Sequence, residues 1–268
     1  MNPACSPEQA GFWYHSDKRM AFFFFILGAI VASFAGVVAA RLGSGQSSMK
    51  GRSRCDYCGK VLSAAALIPL VSYGMSFGRA RCCDVRLSYI GPLSELLTGT
   101  LYALAYMRIG LTMTLPFFLL ALFFLLALVL YDAAHQILPP ILLTPFIFAS
   151  AIVGFLSAPT SAALLTTFGT ALAMACFFLL ITTVSRGRMM GFADAPLTFG
   201  LALLSGPLAF SGFLYSFWIG AGIGIIILFR RPRGSRMGVE VPFAPYLAAG
   251  FLLAYFTQWN LFTLIERL

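Results

Sequence analysis

Charged side chains are scarce in this chain. They account for 10% of its 268 residues, and only nine residues are acidic, whereas 60% are hydrophobic and 27 are phenylalanine. A soluble domain carries roughly 25% charged residues, and its surface does not hold so many phenylalanines beside so few acids. The scarcity of charge therefore excludes a water-soluble globular protein, and the sequence predicts an all-α polytopic membrane protein.

Apolar segments long enough to cross a bilayer recur along the sequence. A membrane-spanning helix needs roughly 17 to 25 apolar residues, and about eight segments meet that description. The predicted spans are residues 20–40, 91–107, 111–131, 138–157, 160–183, 195–211, 213–229 and 243–261. The first apolar segment exceeds the roughly 7 to 15 residues of a signal-peptide core, so we expect it to be a retained membrane helix.

Basic residues are distributed unevenly among the segments that connect these spans. With the amino terminus in the periplasm, 14 of the 18 basic residues fall in cytoplasmic segments. The positive-inside rule favours that orientation, although Lys18 and Arg19 beside the first span oppose it locally. The net charge of +9 therefore reflects membrane topology, and the partner it implies is the lipid bilayer, not nucleic acid.

This topology divides the chain into four consecutive parts. They are a short periplasmic amino terminus (1–19), a first membrane helix (20–40), a cytoplasmic loop domain (41–90) and a membrane core (91–268). The loop domain contains four of the six cysteines of the chain. Because the cytoplasm is reducing, a cluster of thiols there favours a metal site over disulfides.

The cysteines of the loop domain have an uneven spacing. Cys55 and Cys58 form a CxxC pair, whose sulfurs can converge on one tetrahedral zinc ion. Cys82 and Cys83 are adjacent, and we expect successive side chains to point apart, which disfavours two ligands for one ion. The segment therefore predicts a zinc site formed by Cys55, Cys58, Cys82 and Cys83, with either three good ligands or four in strained geometry. The alternative is a small loop domain with buried free thiols and no metal.

Three acidic residues lie within or directly against the predicted spans. Asp132 ends the third span and Asp194 begins the sixth, and the predicted topology places both at the cytoplasmic side. An aspartyl protease needs such a pair, because one ionised carboxylate takes a proton from water while the protonated one polarises the scissile carbonyl. The small residues Gly191 and Ala193 would let a substrate backbone approach Asp194 closely. We expect Glu95 to pair with a basic or polar neighbour among the helices and to have a supporting role in the site.

The two aspartates are also compatible with a structural role or with transport. Asp194 precedes Ala195 and Pro196, so it could be the N-cap of a helix. Asp132 is harder to assign to a structural role, because its charge opposes the dipole at the end of its own helix. A proton or cation transporter would also use paired carboxylates, but it would place them near the middle of the membrane.

Six motifs, in order and with matching spacing, resemble those of the type IV prepilin peptidases, which are membrane aspartyl proteases of the GxGD class. The motifs are ASFAGVVAARL at 32–42, CDYC followed by IPLVSY at 68–73, SYIGPLSELLTG at 88–99, YDAAHQILPP at 131–140, GFAD at 191–194 and VPFAPYLAAG at 241–250. The resemblance covers nearly the whole chain.

The resemblance implies a specific activity. These enzymes remove the short basic leader of type IV prepilins or type II secretion pseudopilins at the cytoplasmic face of the bacterial inner membrane. By motif position, the catalytic residues would be Asp132 and Asp194, and Pro139 would match the LPD pattern. Many members also methylate the new amino terminus with S-adenosylmethionine, an activity associated with the cysteine loop.

The sequence departs from the family pattern at three places. Ala80 stands where the family has its third loop cysteine, which leaves Cys83 as the fourth and Cys82 as a substitute. Pro140 replaces the acid of the LPD pattern, and Ala193 replaces the second glycine of GxGD. An alanine would be strained if that position needs a positive φ. These departures leave a catalytically silent scaffold of a pilus or secretion system as an alternative.

Overall fold

The computed structural model describes residues 17–42, 55, 57–61, 63, 69–187, 190–230 and 242–260. Within those residues the regular structure is helical, with isolated bridges and no strand. The helices are α1 (Lys18–Arg41), α2 (Val71–Met75), α3 (Ile90–Ile109), α4 (Thr114–His135), α5 (Pro140–Ser157), α6 (Ser161–Val184), α7 (Asp194–Ser205), α8 (Ala209–Arg230) and α9 (Ala244–Thr257), and a short 3-10 turn, Gly206–Leu208, joins α7 to α8. The predicted all-α fold is confirmed.

Each predicted span corresponds to one of these helices. Among the described residues, five helical segments are long and apolar enough to cross a membrane, namely α1, α4, α5, α6 and the segment Asp194–Ile227, and α9 is a shorter apolar helix. The protein is therefore a multi-pass membrane protein. Most of the predicted periplasmic amino terminus, and parts of the predicted loop domain, lie outside the described residues.

Residues 136–139, which lie within the sequence HQILPP, connect α4 to α5. Gln136 adopts the left-handed conformation (φ 55°), and its N–H donates to the carbonyl oxygen of Asp132 at 2.8 Å, which ends α4. Pro139 is extended and caps α5, and Pro140 is the first helical residue. A proline is well suited to that position, because the first N–H of a helix has no partner in the helix.

The chain divides into two compact units, one up to residue 115 and one from residue 116. In the first unit, α1 packs closely against α3. A Cβ atom on Gly28 would lie 2.7 Å from the carbonyl oxygen of Thr98, and one on Gly99 would lie 2.8 Å from that of Phe25. Small residues at these two positions allow the helix backbones to approach each other, as is common in membranes.

In the second unit, α7 is the most completely buried helix. All of its residues except Pro196 and Phe199 are buried, and it packs against α5, α6 and α9. The helices α8 and α9 also pack closely, since a Cβ atom on Gly250 would overlap the Ser216 backbone. The Ser216 hydroxyl lies 3.2 Å from the carbonyl oxygen of Leu247 and donates to it. This packing fixes the first residues of α7 and α9, where the candidate site lies.

Candidate functional site

Asp132 lies in the last turn of α4 and is only 6% exposed. Its Oδ2 accepts a hydrogen bond, at 3.2 Å, from the backbone N–H of Ala244, the first residue of α9. The first N–H groups of a helix lack partners within the helix, and the positive end of the helix dipole stabilises a carboxylate there. The amino terminus of α9 therefore compensates the unfavourable position of Asp132 at the end of its own helix.

Asp194 is the first residue of α7 and is 8% exposed. Asp194 is therefore not the N-cap residue of α7. Ala193 occupies the N-cap position, and it makes no side-chain capping hydrogen bond. Instead, Oδ2 of Asp194 accepts a hydrogen bond of 3.1 Å from the N–H of Gly191, which precedes the helix. The Asp194 carboxylate thus joins the last residue of the GFAD motif to its first residue, Gly191.

Both aspartates belong to the second unit. The like charge of Asp132 acts on Asp194 across the site. Each aspartate uses Oδ2 to accept one backbone N–H. Among the described residues, no protein donor reaches Oδ1 of either aspartate. One oxygen of each carboxyl group is therefore anchored by the backbone.

The small residues before Asp194 fit without strain. Ala193 has φ −75° and ψ −12°, which is ordinary right-handed backbone, so an alanine is as suitable there as a glycine. A Cβ atom on Gly191 would lie 3.5 Å from Oδ2 of Asp194, at normal contact distance. The replacement of the second glycine of GxGD therefore introduces no backbone strain.

Two further predicted residues have structural partners. Pro139 caps α5, and its carbonyl oxygen accepts from the N–H groups of Leu142 and Leu143. Glu95 belongs to the first unit, where its Oε2 accepts a 2.7 Å hydrogen bond from the N–H of Leu70. Leu70 has a positive φ of 59° and precedes α2, so Glu95 holds a strained residue of the loop domain against α3. The partner of Glu95 is thus a backbone N–H of the loop domain, whereas a basic or polar neighbour among the helices was expected.

The motif VPFAPYLAAG contains none of the site residues predicted from the sequence. The structure adds Ala244 of that motif, whose N–H contacts Asp132. The two residues are 112 positions apart in the chain, and the contact uses a backbone atom. The signal available in the sequence was Pro245, which favours a helix start at this point.

The four loop cysteines converge in the first unit. Their sulfur atoms all lie within 4.8 Å of one another. The Sγ–Sγ distances are 3.8 Å for Cys55 and Cys83, 3.3 Å for Cys58 and Cys82, and 3.9 Å for Cys82 and Cys83. Four thiolates at about 2.3 Å from a tetrahedral zinc ion would be about 3.8 Å apart. The cluster therefore fits a tetrahedral metal ion, and the expectation that adjacent cysteines point apart is wrong here.

The surroundings of these cysteines also change the pKa values of their thiols. Hydrogen bonds from the backbone N–H groups of Cys58 and Tyr57 lower the pKa of the Cys55 thiol to about 6. The neighbouring Cys58 thiol is the main cause that raises the pKa of Cys82 to about 12. A thiolate is the form of cysteine that binds a metal. Cys55 is thus prepared for metal binding by its own turn, whereas Cys82 becomes a thiolate at neutral pH only if a cation replaces its proton.

The sequence is similar to one protein family and to several curated proteins that share one name. Residues 26–109 match the family model described as Bacterial Peptidase A24 N-terminal domain. A prepilin leader peptidase/N-methyltransferase of Bacillus subtilis (strain 168) is 30% identical over 240 residues, which cover 86% of this chain and 92% of that protein. The protein of the same name from Pseudomonas aeruginosa is 33% identical over 208 residues, covering 75% and 70%.

A third relative of that name, from Myxococcus xanthus (strain DK1622), is 40% identical over 135 residues, which cover 50% of this chain and 40% of the relative. No solved structure gives a significant match. The relatives from Bacillus and Pseudomonas align over most of their own length, and their similarity includes both compact units. The chain therefore belongs to the prepilin leader peptidase/N-methyltransferase family.

Proposed function

We propose that this protein is an aspartyl endopeptidase that removes the basic leader of type IV prepilins or type II secretion pseudopilins. The observation that carries the proposal is the pair of buried carboxylates, Asp132 and Asp194, each anchored by one backbone N–H within the same unit. Membership of the family, whose members are named for cleavage of prepilin leaders, supports the choice of substrate.

In the proposed mechanism the two carboxyl groups share one proton. Two nearby carboxylates in a water-poor site do not both ionise readily, so one is charged and one is protonated. The charged group takes a proton from a water molecule, which attacks the scissile carbonyl carbon. The protonated group donates its proton to the carbonyl oxygen. As the peptide bond breaks, the proton taken from water passes from the first carboxyl group to the leaving amine, and the carbonyl oxygen returns its proton to the second.

We further propose that the site faces the cytoplasm and that the protein lies in the bacterial inner membrane with its amino terminus in the periplasm. The distribution of basic residues supports this orientation, as most of them then fall on the cytoplasmic side. A basic leader is retained on that same side of the membrane for the same reason. The substrate's cleavage site and the two aspartates would thus meet at the cytoplasmic interface.

The cysteine cluster is proposed to hold a structural zinc ion in the loop domain. Cys55, Cys58, Cys82 and Cys83 would bind it, and the ion would supply a crosslink between two distant turns of the loop. N-methylation of the new amino terminus, with S-adenosylmethionine as methyl donor, is a proposed second activity. Its support is the full name of the relatives, which includes N-methyltransferase.

A cleavage assay in membranes, with a prepilin from the same organism, tests the peptidase proposal. We expect Asp132→Asn and Asp194→Asn each to reduce leader removal by about 10²–10⁴-fold, because each change removes a group that transfers a proton. Asp17→Asn is the matched control, since it removes an exposed carboxylate that only caps α1. Leader removal is measured by the mobility shift of the prepilin on a gel.

Two outcomes would contradict the proposal. If the unchanged protein inserts in the membrane but cleaves none of the organism's prepilin-like proteins, the catalytically silent scaffold is favoured instead. If cleavage persists in both asparagine variants, the protein is a peptidase that works by another mechanism. A transporter is disfavoured because it would place paired carboxylates near the middle of the membrane, whereas the predicted topology places both aspartates at the cytoplasmic side.

A further inference from the structure

Two short turns of the loop domain have the same backbone hydrogen bonds. In the first turn, residues 55–60, the N–H of Cys55 donates to the Lys60 oxygen and that of Gly59 donates to the Cys55 oxygen, both at 2.9 Å. In the second turn, residues 80–85, the N–H of Ala80 donates to the Val85 oxygen and that of Asp84 donates to the Ala80 oxygen, both at 2.8 Å. The described residues of the two turns therefore share the same pattern of backbone hydrogen bonds.

The left-handed residues of the two turns correspond as well. Gly59 has φ 69° and Asp84 has φ 56°, and each is the fifth residue of its turn. With the turns aligned in this way, Cys83 corresponds to Cys58, and Ala80 corresponds to Cys55. The backbone of the second turn thus offers two ligand positions, of which the chain fills only the second with a thiol.

The side chain of Ala80 occupies a position as buried as that of its counterpart. Ala80 and Cys55 are both 7% exposed. Cys82 corresponds to Tyr57 of the first turn, which is not a ligand and is 64% exposed. The thiol of Cys82 nevertheless reaches the cluster, at 3.3 Å from the sulfur of Cys58 and 3.9 Å from that of Cys83. A residue at a non-ligand position of the turn therefore supplies the fourth sulfur.

We propose that the loop domain binds a thiophilic divalent cation through a ligand set displaced by two residues, in which Cys82 replaces the ligand that the second turn would otherwise present at position 80. Positions 80 and 82 are then alternative sources of the same metal ligand. The inference rests on the proposed metal site and not on the peptidase activity, so its test measures metal binding alone.

The test uses Co²⁺ as the probe, bound to the purified full-length protein after removal of metal with a chelator. Thiolate-to-cobalt charge-transfer absorption grows with the number of bound thiolates, and tetrahedral Co²⁺ has intense visible bands. We expect one Co²⁺ per chain with the absorption of four thiolates. Cys82→Ser should reduce the charge-transfer intensity by about one quarter and weaken the affinity by at least about tenfold.

The decisive variant is the double change Ala80→Cys with Cys82→Ser. It moves the thiol to the position equivalent to Cys55, and we expect it to restore the four-thiolate spectrum and an affinity within a few-fold of that of the unchanged protein. Cys176→Ser is the control, because it changes an exposed thiol in α6 and should leave both measurements unaltered. Recovery in the double variant also shows that the loss in Cys82→Ser is not a failure to fold.

Three results would overturn the inference. Failure of the unchanged protein to bind Co²⁺ would remove the metal site itself. An unaltered spectrum and affinity in Cys82→Ser would exclude Cys82 as a ligand. If the double variant stays as weak as Cys82→Ser, position 80 does not present a ligand, and the equivalence of the two turns has no consequence for metal binding.

Discussion

At the scale of the residue, the two aspartates share one local arrangement. Oδ2 of Asp132 accepts the N–H of Ala244, and Oδ2 of Asp194 accepts the N–H of Gly191. An asparagine can accept the same N–H through its amide oxygen, so Asp→Asn keeps the anchor of each side chain and removes only the ionisable group. Loss of cleavage in these variants would therefore result from the loss of proton transfer and not from a displaced side chain.

Glu95 is the residue for which a structural and a catalytic role can be separated. Its carboxylate holds the N–H of Leu70 in the loop domain. We expect Glu95→Gln to keep leader cleavage within a few-fold, because the amide oxygen still accepts that hydrogen bond. Glu95→Ala should release Leu70 and destabilise the loop by about 1–3 kcal/mol, since a hydrogen bond to a charged group is lost.

Cleavage assays and limited proteolysis of the loop domain check this prediction. The alanine variant should be cut within the loop at lower protease concentration than the glutamine variant. If Glu95→Gln abolishes leader cleavage as completely as Asp132→Asn, the ionised form of Glu95 is needed for the reaction. Its role would then be more than positioning.

At the scale of the element, local sequence patterns predict the helices well but not the contacts between them. The prolines at 139 and 140 predict the end of one helix and the start of the next, because proline acts on its immediate backbone. The contact between Asp132 and Ala244 joins residues 112 positions apart, and no local pattern contains it. The convergence of Cys82 and Cys83 was missed for a similar reason, since it depends on the turn conformation around Asp84.

The pairing of α8 with α9 is a second contact that depends on particular residues. Gly250 faces the Ser216 backbone so closely that a Cβ atom would overlap it. We expect Gly250→Ala to destabilise the protein by about 1–3 kcal/mol through overpacking. It should also reduce leader cleavage, because it displaces the helix whose first N–H anchors Asp132.

Gly222→Ala is the matched control for this prediction. Gly222 lies in α8, the helix that packs against the Gly250 helix α9, but no atom comes within 4 Å of a Cβ atom placed there. Thermal unfolding in detergent should show a lowered melting temperature for the first variant and an equal or higher one for the control, since alanine favours helix by up to about 1 kcal/mol. Equal behaviour of the two variants would mean that the close approach of α8 and α9 contributes little.

At the scale of the whole molecule, the orientation in the membrane is the main prediction. The excess of basic residues places the cysteine loop in the cytoplasm and the amino terminus, with Cys5, in the periplasm. In spheroplasts, a membrane-impermeant maleimide should label a variant that keeps only Cys5. A variant that keeps only Cys58, which is exposed in the loop, should be labelled only after lysis. The reverse pattern would invert the topology and place the aspartates at the opposite face.

The 3-10 turn between α7 and α8 limits the length of α7, and this length affects the depth of the candidate site in the bilayer. α7 has 12 residues and is therefore about 18 Å long, whereas the hydrocarbon core of a bilayer is about 30 Å thick. An upright α7 consequently cannot place both of its ends at a membrane surface, and this is a case of hydrophobic mismatch.

Of the two ends of α7, the end at the Gly206 turn is better suited to lie in the hydrocarbon core of the bilayer. Its N–H donates to the carbonyl oxygen of Ala202, and its own carbonyl oxygen accepts from the N–H of Ala209, so its polar groups are satisfied without water. Asp194, at the other end, is then free to remain at the interface. A half-length helix would thus keep the proposed catalytic carboxylate of Asp194 within reach of water while the rest of α7 stays in a dry environment.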